Sequence, residues 1–304
     1  MNFFSDLYTY LPADIVKLLQ RECYAGITEV RISLNKPVLV SDGYRTDYLC
    51  GIDGKHIFAH SEEVNYIADR LTGGSFYSVK ESIKNGFVTV RGGHRIGICG
   101  TAVYEGNSGF HIRNVSSFCM RVAREVKGCA EGLANDLFSG GKLCNVLIAS
   151  PPGCGKTTLL RDIVRCLSEK MYAVGVVDER GEISPLRDGI PQMDVGPCTD
   201  VLEGCPKAKG MVLLLRSMSP DVIAVDELGR AEDIDAVHEV LHCGVRLIAT
   251  AHGYDFADME NRLQVLMRER IFERYLFLSD RNGTGTLEKI LDREGNIIRK
   301  GMEG

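Results

Sequence analysis

Ser150-Pro151-Pro152-Gly153-Cys154-Gly155-Lys156-Thr157-Thr158 decides the reading of this chain. An apolar run, Asn145-Val-Leu-Ile-Ala149, precedes it, and a helix-like run, Thr158-Leu-Leu-Arg-Asp-Ile-Val-Arg165, follows it. Strand, glycine-rich loop and helix in that order are the context of a phosphate-binding loop. Such a loop turns successive backbone N–H groups toward an anion. The helix behind it adds unpaired N–H groups and the positive end of its dipole. Lys156 is placed to meet the β- and γ-phosphates of a nucleoside triphosphate, ATP being the expected ligand. The Thr157 hydroxyl is placed to hold Mg²⁺. One position departs from G-x-x-x-x-G-K-S/T, since Ser150 stands where the first glycine belongs. Cys154 fits as a small side chain inside the loop, and its oxidation there would block nucleotide.

Further along, Ser219-Pro-Asp-Val-Ile-Ala-Val-Asp226-Glu227 supplies the other half of a nucleotide hydrolase. Its apolar residues make a buried strand, and the acidic pair emerges at the C-terminal end, where ligands bind to an open parallel sheet. Asp226 is expected to hold Mg²⁺ through water. Glu227 is expected to orient or deprotonate the attacking water. Val176-Val-Asp178-Glu179-Arg180-Gly-Glu182 is a third cluster at a strand end, which either extends the metal and water shell or caps a polar loop. Ala249-Thr250-Ala-His252-Gly253 is a fourth. Its histidine reads either as a γ-phosphate sensor or as a satisfied histidine near the core.

The pattern around these clusters sets the fold class. The expectation is an α/β chain whose RecA-like P-loop domain, residues 126–304, follows a smaller α+β domain, residues 1–125. Short, almost wholly apolar strands at Val146–Ala149, Ala173–Asp178, Val222–Asp226 and Arg246–Thr250 suit a parallel sheet covered on both faces. Helices fall between them at about Lys156–Lys170, Gly210–Met218 and Ala231–Cys243. A strand at Tyr275–Ser279 and a hairpin near Asp292–Gly295 close the chain. In the first part, Pro12–Glu22 has helical spacing, Thr28–Ile32 alternates as a strand does, and Ser61–Leu71 reads as a helix with Ser61 as N-cap and Gly73-Gly74 as its stop. Phe87–Val90 and Arg95–Val103 read as strands around Gly92-Gly93.

Composition excludes several classes. The 304 residues carry a net charge of −5, which argues against a protein whose main work is coating nucleic acid. Eleven cysteines without any C-x-x-C pair read as thiols of a reducing compartment, not as a disulfide frame or zinc element. No apolar run approaches the roughly 20 residues that span a bilayer, so any membrane role is expected to come through partners. His238-Glu239-Val-Leu-His242 matches H-E-x-x-H, but it falls on the helix that follows the acidic-pair strand, with no third ligand in reach by spacing. Both histidines therefore read as ordinary helix residues. From Lys80 to Lys127, eight basic residues face three glutamates, a surplus of five in an acidic chain. The segment is either a solvated basic face or one that meets phosphate, on nucleotide of a neighbouring subunit or on nucleic acid.

With these clusters in order, the chain resembles the secretion ATPase superfamily of type II and type IV secretion motors and type IV pilus motors. Glu179 and Glu182 correspond to that family's acidic box. Leu215-Arg216-Ser-Met-Ser-Pro-Asp-Val-Ile-Ala-Val-Asp-Glu-Leu-Gly-Arg230 looks like its extended Walker B region, and His252 matches its histidine box. Ile27-Thr-Glu-Val-Arg-Ile-Ser-Leu-Asn-Lys-Pro-Val-Leu39 looks like its N-terminal domain strand. Within it, Val176–Ile183 and Arg91-Gly-Gly-His-Arg-Ile-Gly-Ile-Cys-Gly-Thr101 resemble a branch of mother-cell ATPases in endospore-forming bacteria. The resemblance implies a cytoplasmic homo-hexamer with ATP at subunit contacts, peripheral to the membrane, that powers a channel complex of membrane proteins between mother cell and forespore. No stable nucleic-acid partner is expected, on the acidic total and the shortage of aromatics among the basic residues. The resemblance also implies that arginines of the basic segment, Arg113 and Arg121, reach nucleotide across the interface. Asp226 departs from the glycine that secretion motors often carry there. Two alternatives remain at this level, a P-loop ATPase that binds single-stranded nucleic acid and a nucleotide-gated scaffold with negligible turnover.

Overall fold

The computed structural model describes residues 5–24, 26–73, 86–104 and 110–301. Lys80, Glu81, Lys84 and Glu105 of the basic segment lie outside the described residues, as does Gly74. The chain divides into two compact units, Met1–Arg124 and Glu125–Gly304.

In the first unit, helix α1 (Ala13–Leu19) turns Ile15 and Leu19 inward. Strands β1 (Glu29–Ser33), β2 (Leu39–Ser41) and β3 (Thr46–Tyr48) lead to helix α2 (Ser61–Thr72) and strands β4 (Phe87–Thr89), β5 (Arg95–Tyr104) and β6 (Phe110–Arg121). They form one antiparallel sheet in the order β3-β2-β1-β6-β5-β4. Alternation along β1 sends Val30 and Ile32 into a core with Ile96, Phe118, Met120 and Ile67 of α2, while Glu29 and Arg31 face outward. The N-cap of α2 is His60, one residue earlier than the sequence suggests. The His60 backbone N–H donates to Glu63 Oε2 at 2.7 Å, so the residue three places before Glu63 takes the cap and Ser61 becomes the first helical residue. Gly73 ends the helix at φ +58°, a left-handed position that glycine adopts without a Cβ penalty.

The second unit holds strand β7 (Val146–Ser150), helix α3 (Lys156–Glu169), strands β8 (Val174–Asp178) and β9 (Thr199–Glu203), helix α4 (Lys207–Met218), strand β10 (Val222–Val225), helix α5 (Ala231–His242) and strand β11 (Arg246–His252). Two short helices, α6 (Phe256–Arg262) and α7 (Gln264–Arg268), precede strands β12 (Arg274–Ser279), β13 (Thr286–Leu291) and β14 (Ile297–Lys300). The sheet order is β9-β8-β10-β11-β7-β12-β13-β14. The strands from β9 through β12 pair in parallel, and β13 and β14 add an antiparallel end. Every residue of β7, β8 and β10 is buried. Alternate side chains enter two cores, one on each face: Leu147, Ile223 and Val225 on the α4–α5 side, and Ile148, Val222 and Ala224 on the α3 side. This is the mostly parallel α/β sheet that the apolar strand runs predict.

Helix α4 begins three residues before the expected Gly210, because Pro206 takes the cap and fixes the entry. No helix among the described residues is long and apolar enough to cross a membrane.

Candidate nucleotide-binding site

β7 delivers the chain to the C-terminal edge of the sheet, and Ser150 is its last, fully buried residue. Ser150 tolerates the place of a glycine because its hydroxyl folds back to donate to the Pro151 carbonyl at 2.7 Å. Gly153 and Gly155 then take φ of +77° and +84°. Gly155 is the N-cap of α3 and its carbonyl accepts the first helical bond, from Leu159 N at 2.9 Å. The N–H groups of Lys156, Thr157 and Thr158 are thereby left without helical acceptors at the mouth of the loop, which is an anion cradle. Cys154 is buried within it and its thiol lies 3.7 Å from the Pro152 carbonyl.

Lys156 is buried, with Nζ 3.3 Å from Ser150 O, 3.2 Å from Pro151 O and 3.1 Å from His252 Nδ1. Burial pushes its ammonium below the ordinary lysine range, and the carboxylates of Asp226 and Glu227 pull part of the way back. His252 ends β11, opposite Ser150 in the parallel register. Its Nε2 stands 2.9 Å from Glu227 Oε1. An ammonium only donates, so Nδ1 must accept from Lys156 and Nε2 must carry the proton given to Glu227. The ring thus bridges a cation and an anion in one fixed tautomer.

Glu227 sits just past β10 at φ +54°, an uncommon backbone for a non-glycine residue and one that clusters at functional sites. Its second oxygen accepts from Arg180 Nη1 at 2.8 Å. Burial raises the Glu227 carboxyl, but the His252 hydrogen bond and the charges of Arg180 and Lys207 outweigh it, leaving the group below its usual value. Asp226 accepts from the Thr157 hydroxyl at 2.8 Å and from the Thr250 hydroxyl. Thr250 Oγ1 also accepts from Glu227 N at 2.8 Å, so one buried threonine sets both acidic residues. Thr157 and Asp226 together make an oxygen donor set suited to a hard cation such as Mg²⁺.

The cluster after β8 divides in function. Asp178 is buried and accepts from the backbone N–H groups of Glu182, Ile183 and Ser184 at 2.7, 3.0 and 2.8 Å. Burial still holds its carboxyl above the usual value against those three donors. Asp178 therefore builds the loop. Glu179 lies 3.3 Å from Arg230 and accepts from Lys207 N at 3.1 Å, and Lys207 Nζ donates to the Glu227 carbonyl at 2.5 Å. Glu179, Arg180 and Lys207 line a cleft with Glu182, Asp226 and Glu227. The sequence assigns no role to Lys207 or Arg230. Lys207 opens α4 outside any motif, and Arg230 closes the Leu215–Arg230 stretch as the cap of α5.

The structure brings Ser150 to Thr158, Asp226, Glu227 and His252 together, with Glu179 at the far wall of the cleft. Arg113 and Arg121 lie on β6 in the other unit. Both are exposed, and Arg121 pairs with Glu29 at 3.1 Å. Other basic residues of that segment are held locally: Arg95 stacks over Phe87, Arg124 donates to Gly26 O at 2.9 Å, and Lys127 meets Asp194 at 2.5 Å. His238 pairs with Glu269 at 2.6 Å, and its ring centroid is 6.4 Å from that of His242.

Residues 4–298 match the family described as Sporulation stage III, protein AA. The chain belongs to this family. It is 43% identical over 307 residues to Stage III sporulation protein AA of Bacillus subtilis, covering 99% of this chain and 98% of that one. Among solved structures it is similar to the pilus retraction motor PilT with bound ADP, at TM-score 0.62 and 15% identity over 88% of this chain and 78% of that one. It is also similar to the ATPase DotB of Legionella pneumophila, at TM-score 0.54 and 16% identity over 83% of this chain and 72% of that one. The fold is therefore the RecA-like fold of the secretion ATPases.

Proposed function

We propose that this chain is a Mg²⁺-dependent ATPase that acts as a homo-hexameric motor for a membrane-embedded channel complex during endospore formation, from the cytoplasmic side. One observation carries the reading. Lys156, His252 and Glu227 form a continuous chain of contacts at the C-terminal ends of neighbouring parallel strands, beside the Thr157–Asp226 pair. Cation, anion cradle, metal donors and a water-orienting carboxylate are what phosphoryl transfer to water requires.

In this reading the N–H groups of the loop and Lys156 hold the β- and γ-phosphates. Thr157 and Asp226 would hold Mg²⁺, which would supply positive charge against the charge that develops in the reaction. Glu227 orients the attacking water, helped by a carboxyl held in its ionised form by His252 and Arg180. His252 couples the two ends. When Lys156 turns to a phosphate, Nδ1 loses its donor, and the Nε2–H bond that fixes Glu227 changes with it. The family's part in sporulation supports the setting, and the likeness to secretion ATPases supports the motor. Arg113 and Arg121 are the candidates for reaching a neighbour's nucleotide.

Capture from sporulating cells with Glu227→Gln, which should hold ATP, tests the motor reading. Co-purification of membrane proteins that is lost in Lys156→Ala supports it. Identical partners with and without the lysine would favour a scaffold instead.

A further inference from the structure

The groups assigned so far stand on one flank of the phosphate loop. Because the order is β10-β11-β7-β12, Asp226, Glu227 and His252 lie toward β10 and β11. On the other flank, β12 runs parallel to β7, with Phe277 opposite Ala149, and leaves the sheet at the same edge. The chain then turns through Asp280-Arg-Asn-Gly-Thr-Gly285 into β13. That turn lies against the phosphate loop. A Cβ placed on Gly155 would stand 3.2 Å from Gly285 Cα, 3.3 Å from Gly285 N and 3.4 Å from Thr284 Cγ2.

The turn is held by its own bonds. Gly283 N donates to Asp280 O at 3.0 Å, Thr286 Oγ1 donates to Gly283 O at 2.7 Å, and Asn282 N donates to Thr286 Oγ1 at 3.3 Å. Gly283 and Gly285 supply the left-handed backbone at φ +108° and +89°. Arg281 is tethered to Glu288 at 3.5 Å. Residues 281–285 are all exposed. The result is a pre-formed polar surface whose Gly285 backbone and Thr284 methyl lie beside Gly155.

We propose that this turn is the nucleoside wall of the site, receiving the ribose and base of the bound nucleoside triphosphate. The proposal rests on the phosphate-loop reading and extends it. A triphosphate whose terminal phosphate lies by Thr157 and Asp226 has its nucleoside end directed away from β10. On that side the turn lies beside Gly155 of the loop. Its chemistry suits the ligand: the Asn282 amide offers a donor and an acceptor side by side, the Thr284 hydroxyl can meet a ribose hydroxyl, and the flat Arg281 guanidinium can lie on a base face. Gly155 then has two roles, admitting phosphate and admitting the turn.

Calorimetric titration of ATP, ADP and inorganic tripolyphosphate into the full chain tests this. Wild type should bind ATP more tightly than tripolyphosphate. The double variant Asn282→Ala/Thr284→Ala, and separately Arg281→Ala, should lose roughly ten-fold in affinity for ATP and ADP while tripolyphosphate stays within about two-fold. The exposed positions should leave Tm unchanged. Unaltered ATP affinity in all variants would overturn the proposal, and so would equal losses for ATP and tripolyphosphate, which would mean the turn acts on the loop alone. Wild type that binds neither ligand would overturn the phosphate-loop reading itself, and this proposal with it.

Discussion

At the scale of single residues, the site is a chain of alternating charge: Lys156, the His252 ring, Glu227 and Arg180. Both Glu227 oxygens are engaged, one by the ring and one by the guanidinium, and each keeps a lone pair with which to orient a water. Arg180→Ala is expected to lower turnover several-fold, with ATP affinity little changed, in a steady-state assay of phosphate release. Unchanged or raised turnover would place Arg180 outside the reaction. Lys156 tells a second story. Its ammonium is held in a buried place that depresses its proton affinity, so at neutral pH the charge is a cost to the fold. Lys156→Met should therefore raise Tm by about 2–4 °C while removing nucleotide binding. The sign with pH follows from linkage. Between the depressed folded value and the ordinary lysine range the unfolded chain binds more protons, so wild-type stability gains on the methionine variant as pH rises through that window. Thermal melts of both proteins across alkaline pH check it, and a gap that widens would contradict it.

At the scale of elements, close approach decides what the sheet tolerates. Helix α4 crosses β8 at Gly210, where an added Cβ would overlap Val177 Cγ1. Both partners are fixed by packing, so Gly210→Ala should cost about 1–3 kcal/mol, seen as a lower Tm. An unchanged Tm would mean that the helix slides freely. The elements that sequence revealed best are those with one strong physical signal. β7, β8, β10 and β11 are nearly all apolar, and each ends on a motif. β9 escaped notice because Thr199-Asp-Val-Leu-Glu203 is a sheet edge of mixed polarity and no fully buried residue. The short helices α6 and α7 were hidden because Asp255 caps a run of only seven residues. In the site, Lys156, Asp226, Glu227 and His252 carry motif spacing, so they were legible. Thr250 sat in plain view beside His252, yet its role depends on reaching across from β11 to the end of β10. Lys207 and Arg230 depend on the same kind of cross-strand geometry, which no single stretch of sequence encodes.

At the scale of the whole molecule, the proposed hexamer makes activity a property of assembly. The basic segment has a surplus of charge that the chain as a whole does not share. An arginine that reaches a neighbour's nucleotide stabilises the transition state from outside the loop. Specific activity should then rise with protein concentration, and Arg113→Ala or Arg121→Ala should lower turnover without unfolding the chain. Mixing either variant with Lys156→Ala subunits should restore part of the activity, because one supplies the loop and the other the arginine. No restoration at any ratio would place the arginines outside the reaction. All of this stands on ATP hydrolysis at the Lys156–Glu227 site. The measurement that tests it most directly is phosphate release from ATP by concentrated wild type, Lys156→Ala and Glu227→Gln, with bound nucleotide quantified in parallel. Wild type should turn over, and Lys156→Ala should neither bind nor hydrolyse. Glu227→Gln should bind ATP yet release phosphate at least about a hundred-fold more slowly. Turnover by Glu227→Gln equal to that of wild type would move the water-orienting role to another carboxylate, with Glu179 first in line, and would contradict the account.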